Sequence, residues 1–139
     1  MPVQTFPLLL ETQGNADILD ITDRVSALVS KSTMTQGTVT IFCPSSTSGL
    51  TTIEYESGAL SDLRRLLDEI IPPDREYAHN ARWHDGNGHA HVRAALLGPS
   101  LTVPLVEGRL TLGTWQQIIY VDFDTRPRRR ELIVQIIGE

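Results

Sequence analysis

Cysteine is nearly absent: Cys43 is the only one in 139 residues. A single thiol can form neither an internal disulfide nor a thiolate zinc cluster, and the composition fits a reducing compartment. Cys43 closes the apolar run Val39-Thr40-Ile41-Phe42-Cys43, so a buried, inert thiol is expected rather than a nucleophile. Long hydrophobic runs are missing too. No stretch approaches the roughly 20 apolar residues that a membrane-spanning helix needs. Met1 to Leu10 lacks the basic start and long apolar centre of a signal peptide. A cytoplasmic protein without a membrane partner is expected. Positive charge is short as well, with 12 Lys and Arg against 17 Asp and Glu and a net charge of −5. A general nucleic-acid binder needs a broad basic face, so nucleic acid is not an expected partner. There is no internal repeat, low-complexity tract or linker.

What remains suits one ordinary domain over residues 1–139, since 40% of the residues are hydrophobic and 21% charged. Val3 to Leu10 reads as a strand. Ile21, Val25, Leu28 and Val29 fall on one helical face, with Thr22 a candidate cap. Thr38 to Cys43 and Leu50 to Tyr55 read as strands around the loop Pro44 to Gly49. Leu60, Leu63, Leu66, Leu67, Ile70 and Ile71 trace a helical stripe that Pro72-Pro73 stops. A long polar segment, Asp74 to Gly88, precedes a short helix over His89 to Leu97. The chain then turns to strands: a hairpin across Glu107-Gly108, a strand from Trp115 to Phe123, and a last one from Glu131 to Ile137 after the basic turn Asp124 to Arg130. The order predicts an α+β fold with mixed or antiparallel sheet layers and two or three helices in the middle. The near-continuous apolar run Leu132 to Ile137 predicts a strand buried on both faces, covered by a second layer or a partner subunit.

Several residue groups carry chemistry. All four histidines, His79, His84, His89 and His91, fall within 13 positions, and imidazole is the commonest metal ligand. The spacing is no standard zinc signature. His89 and His91 point about 200° apart on a helix, so they share a metal only where the chain is still extended. The alternative is surface or core histidines bonded to backbone. Glu54, near the end of its strand, suits a general base or metal ligand, or simply a solvated position. Ser45 to Gly49 is a candidate anion cradle. Arg126 and Arg128 to Arg130 offer guanidinium forks suited to phosphate, or form a solvated hairpin end. Together these groups suit phosphoryl or pyrophosphate chemistry with a divalent metal, without choosing a substrate.

Four ordered motifs carry a family resemblance. Phe42 to Glu54, Tyr77-Ala78-His79-Asn80, His91 to Gly98 and Gly108 to Ile118 (with Gly113-Thr114-Trp115-Gln116-Gln117 at its heart) resemble the secondary thiamine-phosphate synthase family, the YjbQ-like proteins. Arg128-Arg129-Arg130 matches the basic turn before that family's last strand. The resemblance implies a small α+β fold, commonly a trimer, and a catalytic site of Glu54, His79, His91 and Gln116. Ser46, Thr47, Arg128 and Arg129 would hold phosphate, and a divalent metal (zinc or magnesium) would sit at His79 and His91 with His89 as a third ligand. It implies a weak transferase activity joining a pyrimidine pyrophosphate to a thiazole phosphate. Metal-dependent hydrolysis of a small phosphorylated compound, or non-enzymatic binding by a trimer, are the alternatives. Ser45 stands where the family usually has histidine, and His89 is the candidate replacement. Trp115 is expected in the core, with Gln116 facing the opposite side of the same strand.

Overall fold

The computed structural model describes residues 2–139. In chain order the elements are β1 (Val3–Thr12), β2 (Asp17–Asp20), α1 (Thr22–Ser32), β3 (Gly37–Phe42), β4 (Ser48–Ile53), α2 (Ser57–Ile70), α3 (Ala78–Trp83), α4 (Gly88–Leu97), β5 (Ser100–Val106), β6 (Arg109–Leu110), β7 (Gln117–Asp122) and β8 (Arg128–Gly138). A five-stranded sheet runs β1-β8-β3-β5-β6 and a three-stranded sheet runs β2-β7-β4. Every pairing is antiparallel. The α+β expectation holds, with a fourth helix, α3, inside the polar segment. Its six residues bury no side chain, so it leaves no apolar stripe for periodicity to detect.

The small sheet is the middle of three layers. Ile118 and Tyr120 of β7 and Leu50 of β4 join one core with Leu8, Leu10, Val39, Ile41, Leu132, Val134 and Ile136 from the large sheet, and with Val25 and Val29 of α1. Ile119 and Val121 face the other way, onto Leu60 and Leu67 of α2 and Ala90 and Ala94 of α4. The strand buried on both faces is therefore β7, not β8. In β8 the buried residues alternate with exposed ones, and Ile133 and Ile137 are 38% and 40% exposed on the outer face. A period-2 strand with apolar residues at both parities reads as doubly buried, although within this chain only one face is covered.

Local chemistry fixes the helices. Ile21 rather than Thr22 is the N-cap residue of α1, with no side-chain cap; the Asp20 carboxylate accepts from the Thr22 amide at 3.0 Å and hydroxyl at 2.7 Å just outside it. The Thr22 hydroxyl in turn accepts from the Ile118 amide at 2.8 Å, tying α1 to β7. Glu56 accepts from the Gly58 and Ala59 amides at 2.7 and 2.6 Å to start α2, and these bonds lower its carboxyl pKa. Arg93 of α4 is buried and donates to the Ile71 carbonyl at 2.8 and 3.0 Å and to Asp68 at 3.0 Å, locking α4 against the end of α2. Cys43 is buried, and burial pushes its thiol pKa up, as an inert thiol requires. No helix is long and apolar enough to cross a membrane among the described residues.

The expectation for Trp115 fails. Trp115 and Gln116 precede β7 in a turn rather than in the strand, and Trp115 is 73% exposed. Strand alternation therefore does not apply to them. Trp115→Ala should change unfolding free energy by no more than about 0.5 kcal/mol, whereas Ile119→Ala should cost about 2–5 kcal/mol. Urea denaturation of both variants reads the contrast, and a loss of similar size for Trp115 would contradict its exposed placement.

Candidate functional site

Helices α3 and α4 converge at the chain segment between them. The Asp85-Gly86 turn reverses the backbone, with His84 and Gly86 at positive φ (57° and 68°). The Gly88 amide donates to Asn80 Oδ1 at 2.8 Å, and a Cβ on Gly88 would lie 2.5 Å from Cβ of Tyr77. Only glycine lets α4 press this closely on the residue that leads into His79. The Tyr77 hydroxyl donates to the Pro72 carbonyl at 2.6 Å. The result brings the His79 and His91 rings to 4.2 Å between centroids. His79 Nε2 lies 3.3 Å from Asp85 Oδ2.

Asn87 completes this cluster. Its NH2 group donates to the Asp85 carboxylate oxygens at 2.8 and 3.1 Å and to His79 Nε2 at 3.1 Å, so one side chain ties the Asp85 turn to the histidine ring. The other face of the amide stands 3.4 Å from Asp124 Oδ1. His, Cys, Asp and Glu give no metal-holding triplet among the described residues. Burial and the neighbouring His79 lower the His91 pKa.

Beneath the cluster lies a buried charge network at the end of β7. Asp122 and Asp124 are 0% and 2% exposed. Arg130 clamps Asp122 with Nε at 2.8 Å and Nη2 at 2.9 Å. Arg128 holds Asp124 with Nε at 3.1 Å and Nη2 at 2.7 Å. Thr12 donates to Asp122 at 2.6 Å, and Thr47 donates to Asp124 at 3.2 Å. Gly14 permits the adjoining turn: at φ +77° its Cβ would meet the Asp124 carbonyl at 2.7 Å. Burial alone would raise the Asp124 pKa. The Thr125 amide and Arg128 outweigh burial and bring it down to about 2.

The expected site residues therefore divide. His79, His91 and Thr47 gather here, and position 45, where the resemblance expects histidine, opens the loop that delivers Thr47. Ser46 is exposed on that loop. Arg128 is bonded to Asp124, and Arg129 is exposed on the outer face of β8. His89 is buried against Tyr77, at 6.4 Å between ring centroids, and its Nδ1 has no partner. Helix geometry turns it away from His91. Glu54 lies beyond the far end of β4, on the order of 20 Å along the strand from Thr47. It lines a cleft with Asp20, Tyr55 and Trp115. Gln116 accepts from the Gly113 amide at 3.0 Å and donates to Thr52 at 3.2 Å. It borders a cavity of about 440 Å³ whose lining includes Thr51, Thr102 and Thr111. Sequence reading missed Asp85, Asn87, Asp122 and Asp124 as site residues. Two signals were available: an Asp-Gly-Asn turn between histidines, and two aspartates closing an apolar strand just before an arginine run.

The family model described as UPF0047 protein YjbQ-like matches residues 7–139. The chain belongs to the YjbQ-like family. A UPF0047 protein of Methanothermobacter thermautotrophicus is 40% identical over all of this chain and 95% of its own length. One from Archaeoglobus fulgidus is 38% identical over 94% of this chain and 98% of its own. A solved structure from Sulfolobus solfataricus, titled a protein of unknown function, superposes with a TM-score of 0.94 at 35% identity, covering 99% of both chains. In this YjbQ-like chain the ionised Asp124 links stability to pH. Its folded pKa lies below the ordinary 3.8, so its contribution is present above about pH 4 and is lost as pH falls through about 2. Unfolding free energies from urea denaturation should therefore fall over that window by an amount on the order of 2 kcal/mol more than in Asp124→Asn. Equal slopes in the two proteins would contradict the assignment.

Proposed function

We propose that this YjbQ-like protein is a divalent-metal-dependent enzyme acting on a small phosphorylated compound. The reaction proposed is transfer of the thiamine-phosphate synthase type, joining a pyrimidine pyrophosphate to a thiazole phosphate. The observation that supports the reading is the pairing of the His79 and His91 rings, 4.2 Å between centroids, with Asp85 Oδ2 3.3 Å from His79 Nε2. Imidazole suits zinc, while carboxylate oxygens suit magnesium, so a small rearrangement of these side chains would admit a divalent ion. A divalent ion bound there would neutralise charge that builds on the departing pyrophosphate oxygens. His79 and His91 would hold the ion, with Asp85 beside them. The amides and hydroxyls of the Ser46-Thr47 loop border the network beside them and orient a phosphate group.

The assembly proposed is a homotrimer. Phe42, Ile133 and Ile137 are each about 40% exposed on the outer face of the large sheet, and further copies of the chain would cover them. Glu54 and Gln116 stand apart from the histidines within one chain, so they share the reaction only if a neighbouring copy delivers them.

Elemental analysis of the purified protein should find a divalent metal. The metal should be lost as pH falls through about 6, where imidazoles protonate, and chelation should lower the melting temperature. Incubation with both phosphorylated precursors should give joined product above a His79→Ala control. Phosphate release without joined product assigns hydrolysis instead, and stabilisation by ligand without turnover assigns a binding protein. Light scattering should give three times the chain mass, and Ile133→Asp should give smaller, still folded species. A stable wild-type monomer at micromolar concentration would count against the trimer.

A further inference from the structure

We propose that the cavity where β3 leaves the large sheet is an oxyanion site that takes a phosphoryl group. The inference rests on the phosphorylated-substrate part of the reading above and does not need the metal. β3 pairs with β8 only as far as Phe42 opposite Ile133, whereas β8 starts at Arg128. The chain departs at Cys43-Pro44, and a cavity of about 220 Å³ opens in the gap, its lining including Ser45, Tyr120, Arg129 and Arg130. Tyr120 reaches it from the middle layer. The side chain is fully buried, and its hydroxyl has no hydrogen-bond partner. Burial pushes its pKa up to about 12, so the hydroxyl keeps a proton to donate. The Ser48 hydroxyl beside it is buried and without a partner as well. Were these two hydroxyls to bond to each other, one O–H would still lack an acceptor. Asp122, the carboxylate near Tyr120, faces Arg130 and Thr12 instead. Arg130 uses Nε and Nη2 for Asp122 and Thr47, which leaves the two N–H groups of Nη1 without an acceptor among the described residues. Glu131 also borders the cavity but is exposed on the outer face of β8. Hydroxyl and guanidinium donors are thus in excess. A buried donor without an acceptor costs free energy, and a tetrahedral oxyanion, which offers acceptors on every side, recovers it.

Inorganic phosphate is the probe, titrated by calorimetry at constant ionic strength into protein treated with chelator. Wild type should bind it, and its melting temperature should rise with phosphate concentration. Tyr120→Phe keeps the ring and removes only the hydroxyl. Without phosphate the variant should melt at or above the wild-type temperature, because an unpartnered buried group is gone. Its affinity for phosphate should fall about 10-fold or more, as expected for one lost hydrogen bond to a charged group. A merely structural hydroxyl, bonded to Ser48 or to a trapped water, predicts the opposite pair of results: a lower melting temperature for Tyr120→Phe and unchanged phosphate binding. Ser48→Ala removes the neighbouring hydroxyl without touching the ring and should also weaken binding, so the assignment is read even where Tyr120→Phe does not fold. His79→Ala should bind phosphate as wild type does. Loss of binding in that variant places the anion at the histidine pair and overturns the cavity assignment. A wild-type chain that binds no phosphate, or variants that bind as well without either hydroxyl, overturn it too, while the metal and the joining reaction stand or fall on the elemental analysis and the product assay.

Discussion

The paired carboxylates at the end of β7 are the constraint on which the rest depends. Asp122 and Asp124 arrive there because β7 is the middle strand of the middle layer, so the chain must exit through the core. Two buried anions in that position are tolerable only with cations brought to them. Arg128 and Arg130, at the start of β8, supply both. The pairs thereby staple the large sheet to the small one. Thr12 adds the end of β1 and Thr47 the start of β4. Removing one partner of such a pair leaves an uncompensated buried charge, which costs about 3–5 kcal/mol.

The same network sets the electrostatics of the cluster above it. An ionised carboxylate fixed by two guanidinium N–H groups behaves as a rigid acceptor rather than a mobile charge. Asn87 stands between the two tiers, bonded to Asp85 and His79 on one side and 3.4 Å from Asp124 Oδ1 on the other. Of the arginines that sequence reading offered to phosphate, Arg128 and Arg130 are bonded to these carboxylates and keep them charged without solvent. This division separates groups that hold geometry from groups that face a ligand.

The fold was largely legible because its strands alternate and its two long helices carry clean stripes. The failures were all cases in which pattern and burial part company. Ile133 and Ile137 read as interior because they are apolar, yet the chain leaves their face uncovered. Trp115 read as interior for the same reason and stands in a turn. Helix α3 buries nothing, so its sequence carries no stripe at all. Of the site, the histidine cluster was visible as a local excess of one residue type. Its Asp85-Asn87 half was hidden because an Asp-Gly-Asn sequence reads first as turn chemistry. Asp122 and Asp124 were hidden because their partners lie across a sheet boundary, where spacing along the chain gives no guide. Glu54 and Gln116 match motifs by type, but motif order says nothing about distance within one chain.

The edges of the large sheet carry a consequence of their own. One edge is β1, which holds Pro7 at its centre, and the other is β6, only two residues long. Proline has no N–H to donate, and a two-residue edge offers almost no ladder. Both features weaken a border as a template for a foreign strand. On the outer side of the same sheet Val3, Ile137, Thr38 and Pro104 stand in one row across four strands, so whatever apolar surface the sheet leaves uncovered lies on its face rather than along its borders.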